Sequence, residues 1–154
     1  MKKVLMLTAA MLLMTFFAEA QKKYSVYAVG FYNLENLFDT CHDEGKNDYE
    51  FLPTGSYRWD GIRYSHKLHN MARALSDMGT DVLPGVGCAV IGVSEVENAK
   101  ALTDLVNQPE LKARNFKFAH IEGPDKRGVD CAMLYNPSLF QQRKMQQRNL
   151  TSIC

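Results

Sequence analysis

No two cysteines in this 154-residue sequence stand as a C-x-x-C pair, so it encodes neither a zinc ribbon nor a thioredoxin-type redox pair. The four that are present, Cys41, Cys88, Cys131 and Cys154, are widely separated. If oxidised they allow three complete pairings, among which spacing does not choose. Cys131 stands inside an apolar stretch and reads as a small core residue. A charge surplus is missing too, with 18 Lys and Arg against 17 Asp and Glu. That balance offers no footprint for a protein that holds nucleic acid by blanket phosphate neutralisation, although it is compatible with a local basic groove. The acids between Asp43 and Asp60 lack the D-x-[DN]-x-[DN]-G spacing with a distal Glu, so a calcium loop of that type is not encoded. Disorder is excluded for most of the chain, because 46% of the residues are hydrophobic and 23% charged, the balance of one globular domain.

Long apolar runs are confined to the start. Lys2 and Lys3 precede the apolar run Val4 to Phe17, and Ala18-Glu19-Ala20 supplies a small-x-small cleavage pattern. The run is shorter than the roughly 20 residues of a membrane span, so residues 1–20 read as a signal peptide cleaved before Gln21. The expectation is an exported protein, periplasmic or extracellular, with no stable membrane insertion after cleavage. Removing Lys2, Lys3 and Glu19 leaves 16 cationic and 16 acidic side chains.

Hydrophobic periodicity predicts an α/β pattern over the rest. Tyr24 to Tyr32 is rich in β-branched and aromatic residues and reads as a first strand, with Asn33 at its end. Residues 40–60 hold Asp43, Glu44, Gly45, Pro53 and Gly55 and read as a long surface loop. Leu68, Met71, Ala72, Leu75 and Met78 recur at helical spacing, with Gly79 placed to stop the helix. His66 and His69 on that helix lack a third ligand and read as solvent-facing. Ala89 to Ser94 forms a second strand and Ala99 to Asn107 a second helix. Phe116 to Ile121 and Val129 to Tyr135 form two more strands, joined by the turn residues 122–128.

One stretch carries chemistry. Val90-Ile91-Gly92-Val93-Ser94-Glu95-Val96-Glu97-Asn98 is a buried strand that ends in acid just before a helix, a place where open α/β sheets bind ligands. Glu95 is a candidate metal ligand there. The alternative is that Glu95 and Glu97 open the helix and are stabilised by its dipole. Asn33 divides in the same way between a site residue and the start of a turn. Arg127, carried by a turn, suits contact with a phosphate oxygen, or is an ordinary exposed charge. Asp130, a carboxylate within an apolar strand, needs a partner to offset its burial.

Three blocks occur in order: Phe31-Tyr32-Asn33-Leu34-Glu35-Asn36-Leu37-Phe38-Asp39, Ser94-Glu95-Val96-Glu97-Asn98, and Asp125-Lys126-Arg127-Gly128-Val129-Asp130-Cys131-Ala132-Met133-Leu134-Tyr135. Together they resemble the endonuclease/exonuclease/phosphatase superfamily, with its deoxyribonuclease I-like fold, and within it the exported bacterial members. The resemblance covers roughly residues 24–140 and implies a four-layer α/β sandwich, of which residues 21–140 are the N-terminal half. It also implies hydrolysis of a phosphate ester, with nucleic acid as one permitted substrate and Mg²⁺ or another divalent cation as cofactor. Glu95 matches the family's metal-binding Glu and Asn33 the Asn beside it. Arg127 and Asp130 border the family's cleft.

The polar, basic run 141–154 has no apolar face, and no catalytic residue is identifiable in this half. The family's His with its orienting Asp, its Asp-x-Asn pair and its terminal Asp-His do not appear, so the chain reads as a fragment or one ending in a frameshift. An exported, non-catalytic binding or interaction module on the same fold is the rival expectation.

Overall fold

The computed structural model describes residues 25–143. The proposed signal peptide, and residues 144–154 of the polar tail, lie outside the described residues. Four strands form one sheet in the order β1-β2-β4-β3, where β1 is Ala28–Leu37, β2 Cys88–Val96, β3 Lys117–His120 and β4 Asp130–Tyr135. Strands β1 and β2 run parallel, and β4 runs antiparallel to both β2 and β3. Helix α1 (Gly61–Asp77) spans the crossover between the parallel strands, and α2 (Ala99–Val106) follows β2.

Each helix begins on a side-chain cap. The Asp60 carboxylate accepts from the Arg63 N–H at 2.9 Å, and the Asn98 side-chain oxygen accepts from the Ala101 N–H at 2.9 Å. Helix α1 ends where expected: Met78 leaves helical geometry and Gly79 takes φ +75°, a conformation that glycine adopts without a Cβ clash. The apolar face of α1 (Tyr64, Leu68, Ala72, Leu75) and that of α2 (Ala101, Leu102, Leu105) pack with Ile91, Val93 and Leu134 of the sheet. Each leucine buried in that layer contributes about 1.5–3 kcal/mol by leaving water.

The described residues thus make two layers, one sheet with helices over one face. The opposite face carries Val29, 72% exposed, and Phe31, 67% exposed, together with Met133. No helix among the described residues is long and apolar enough to cross a membrane.

Several sequence expectations are corrected. Strand β1 begins later than Tyr24 and runs past Asn33 to Leu37, and β2 continues through Glu95 to Val96. Residues 40–60 are more ordered than a solvated loop. A 3-10 turn forms at Tyr49–Phe51, Phe38 stacks on Phe51 with ring centroids 4.1 Å apart, and the Trp59 indole N–H donates to the Phe38 carbonyl at 2.9 Å. Asp48 is buried there, accepting from the Asp43 N–H and facing His42. Cys131 is exposed rather than a core residue, because Asp130, Ala132 and Leu134 take the inward positions of β4. No disulfide joins Cys41, Cys88 and Cys131. His66 and His69 are exposed as expected, and His69 meets Glu110 at 2.6 Å.

Candidate functional site

The site lies where β1 and β2 both break register. Asn33 pairs with Ser94 and Leu37 with Val96, so three residues of β1 oppose the single residue Glu95. On the other edge of β2, Ser94 pairs with Cys131 and Val96 with Asp130, which makes Glu95 the extra residue of a β-bulge. Its φ is +58°, and Glu35 and Asn36 take φ +52° and +60°. Left-handed backbone costs a residue with a Cβ roughly 1–2 kcal/mol, and such strain clusters at functional sites. The bulge also resets the alternation of β2, so that Val93 and Val96 both face the core while Glu95 stays half-buried near the end of the strand.

Glu95 does not open a helix. Its Oε2 accepts from the Asn36 N–H at 3.1 Å, and the cap of α2 is Asn98. Asn33 does form a turn, accepting from the Glu35 N–H through Oδ1 at 2.7 Å. That bond fixes the amide oxygen while leaving it a second lone pair. Two cations reach the same corner. Lys67 donates to the Glu35 carbonyl at 2.5 Å, and Arg127 reaches the Asn36 side-chain oxygen at 3.5 Å while also pairing with Asp125. Burial holds the Lys67 ammonium below its ordinary range, with the Glu35 and Glu95 carboxylates pulling the other way.

Asp130 has the partners that its burial requires. Oδ1 accepts from the Gly123 N–H at 2.6 Å, and Oδ2 lies 3.1 Å from His120 Nε2. A cavity of about 300 Å³ joins Asp130 to Glu95, walled further by Gly123, Pro124, Asp125 and Cys131. The fold therefore gathers Glu95 and Asp130 on one cavity. Asn33 stands at the neighbouring strand position, and Arg127 reaches over from the turn.

Glu97 has a separate task. Its Oε2 accepts from the Asp39 N–H at 2.7 Å, which ties β2 to the residues that follow β1. It is 2% exposed, and Oε1 is buried without a partner. Burial pushes its carboxyl up to about 8, and Asp39, Asp43 and Asp48 add to the rise.

Lys67, Asn36 and His120 are site residues that no sequence motif marks. Asn36 lies inside the first sequence block and was within reach. Lys67 occupies an ordinary helix position with no local signal, and His120 sits in a strand whose face the sequence left open.

Residues 28–153 match the model of the endonuclease/exonuclease/phosphatase family, a span that runs past Phe140, where the likeness read from the residues ends. No curated protein and no solved structure matches the chain. With most of its length matched, and with Glu95 and Asn33 on paired strands, the chain belongs to the endonuclease/exonuclease/phosphatase family.

Proposed function

We propose that the chain carries the metal cradle of an exported, divalent-cation-dependent phosphoesterase, with Glu95 as the anionic ligand and Asn33 as a neutral oxygen ligand. Family membership supports hydrolysis of a phosphate ester assisted by a divalent metal. The observation that carries the specific assignment is Glu95 itself, a strained bulge residue whose carboxylate is held by the Asn36 N–H beside a cavity. A carboxylate and an amide oxygen are hard donors, which fits Mg²⁺ held by one or two carboxylates and completed by substrate phosphate and water.

When bound, the cation offsets charge that develops on the phosphoryl oxygens. Arg127 extends a planar guanidinium toward the same corner, where its donors suit a phosphate oxygen. Lys67 adds positive charge beneath Glu35 and holds that turn in place. The substrate class is a phosphodiester or phosphomonoester, nucleic acid included.

The test is Mn²⁺ binding by electron paramagnetic resonance, together with hydrolysis of a generic phosphodiester, in Glu95→Gln and Asn33→Ala. Glu95→Gln keeps the shape and removes the charge, so Mn²⁺ affinity falls by at least about tenfold, a smaller loss following for Asn33→Ala. Wild-type Mn²⁺ affinity in Glu95→Gln would overturn the assignment. The second reading, a non-catalytic binding module, draws on the apolar open sheet face at Val29 and Phe31. It requires Mn²⁺ binding without hydrolysis even in protein that also carries the family's His, Asp-x-Asn and Asp-His blocks.

A further inference from the structure

The turn between β3 and β4 brings together three side chains that the cradle at Glu95 does not use. The strands pair antiparallel with His120 opposite Ala132, so His120 falls diagonally beside Asp130 on the helix-covered face. Their side chains are 7% and 2% exposed. Glu122 follows two residues later, where the chain leaves β3, and its carboxylate is exposed beside Lys46 at 3.6 Å. One ligand atom from each of His120, Glu122 and Asp130 lies within 4.8 Å of the other two.

We propose that His120, Glu122 and Asp130 form a binding site for one divalent transition-metal ion of the Zn²⁺ type, separate from the Glu95 cradle. Two carboxylates and a neutral imidazole balance a divalent charge, and the imidazole nitrogen favours Zn²⁺ or Co²⁺ over Mg²⁺. His120 Nε2 and Asp130 Oδ2 lie 3.1 Å apart, at hydrogen-bond distance, and need to part by only a few tenths of an ångström to reach the roughly 3.3–3.6 Å between two ligands of a tetrahedral ion. The second oxygen of Asp130 is already fixed by the Gly123 N–H, an outer contact that orients a ligating carboxylate. Gly123 permits this approach, since a Cβ there would stand 2.6 Å from Asp130 Oδ1. Glu122 closes the site from the solvent side by exchanging Lys46 for the ion. Bound metal would clasp the turn that carries Arg127 to the end of the sheet.

The test is Co²⁺ titration of the full chain, read by its visible absorption bands, with the thermal midpoint in added Zn²⁺ as a second readout. One Co²⁺ binds with the intense visible bands of four-coordinate geometry, excess Zn²⁺ abolishes those bands, excess Mg²⁺ does not, and Zn²⁺ raises the thermal midpoint. His120→Ala and Glu122→Gln each weaken Co²⁺ binding by more than about tenfold, while Glu95→Gln leaves it unchanged. Should His120→Ala fail to fold by circular dichroism, Glu122→Gln decides, because that side chain is exposed. Wild-type Co²⁺ affinity in Glu122→Gln, or loss of the bands in Glu95→Gln, overturns the proposal.

Discussion

Glu95 and Asn36 are separated by 59 residues in sequence, yet the carboxylate of one accepts the backbone N–H of the other at 3.1 Å. Both residues are in left-handed backbone conformation, at φ +58° and +60°. Two parallel strands are distorted at one level, and a side-chain hydrogen bond joins the two distortions.

Strain at Glu95 separates stability from function. Glycine takes a positive φ without a Cβ clash, so Glu95→Gly is expected to be more stable than Glu95→Ala by about 1 kcal/mol. Both variants lose Mn²⁺ binding equally. Urea denaturation of the two, compared at equal slope, checks the difference, and a more stable alanine variant would mean that the bulge relaxes when the carboxylate is gone.

Glu97 predicts a pH dependence. Its folded value of about 8 lies above its ordinary value of 4.5, so between these limits the folded state binds more protons than the unfolded chain. Its contribution to stability therefore falls as pH rises from about 4.5 through 8, then levels off. Glu97→Gln cannot ionise, and its stability should decline less over that window. Thermal midpoints of wild type and variant from pH 5 to about 9 measure it; parallel curves would remove Glu97 as the cause.

Removing the Asp130 carboxylate strands the Gly123 N–H and the buried His120 ring. Asp130→Ala should cost about 1–3 kcal/mol, the penalty for leaving buried polar groups unpaired. Asp130→Asn keeps an oxygen for Gly123 and should cost less. Chemical denaturation at neutral pH ranks the two, and equal losses would show that Gly123 finds no use for the amide oxygen.

The open face of the sheet exposes Val29 and Phe31 on β1 and Met133 on β4, with no helix over them among the described residues. Contiguous apolar surface of this kind drives association. Phe31→Ser is expected to lower the self-association of the chain, measured by light scattering against concentration. An unchanged scattering profile would mean that this face does not govern association.

Much of the fold was legible because it follows local periodicity. The apolar stripe of α1, its stop at Gly79 and the hairpin between β3 and β4 depend on residues within one or two turns of each other. Cys131 shows where that logic ends. Residues 129–134 are apolar at nearly every position, so alternation could not tell which set faces inward. The tertiary structure turned Asp130 inward with His120 and Gly123, and Cys131 followed outward.

The sequence by itself determined the α/β order, the acid-ended strand that supplies Glu95, the Asn33 of the preceding strand and the family to which they belong. Each of these is a property of residue type and local spacing. Only the tertiary structure decided that Glu95 is a bulge rather than a helix opening, that Lys67 and Arg127 reach Glu35 and Asn36 beside it, and that His120 shares a corner with Glu122 and Asp130. Those outcomes depend on strand register and on pairing between distant segments. Register is set by the summed burial of whole strands against the helices, so no short stretch of the chain encodes it.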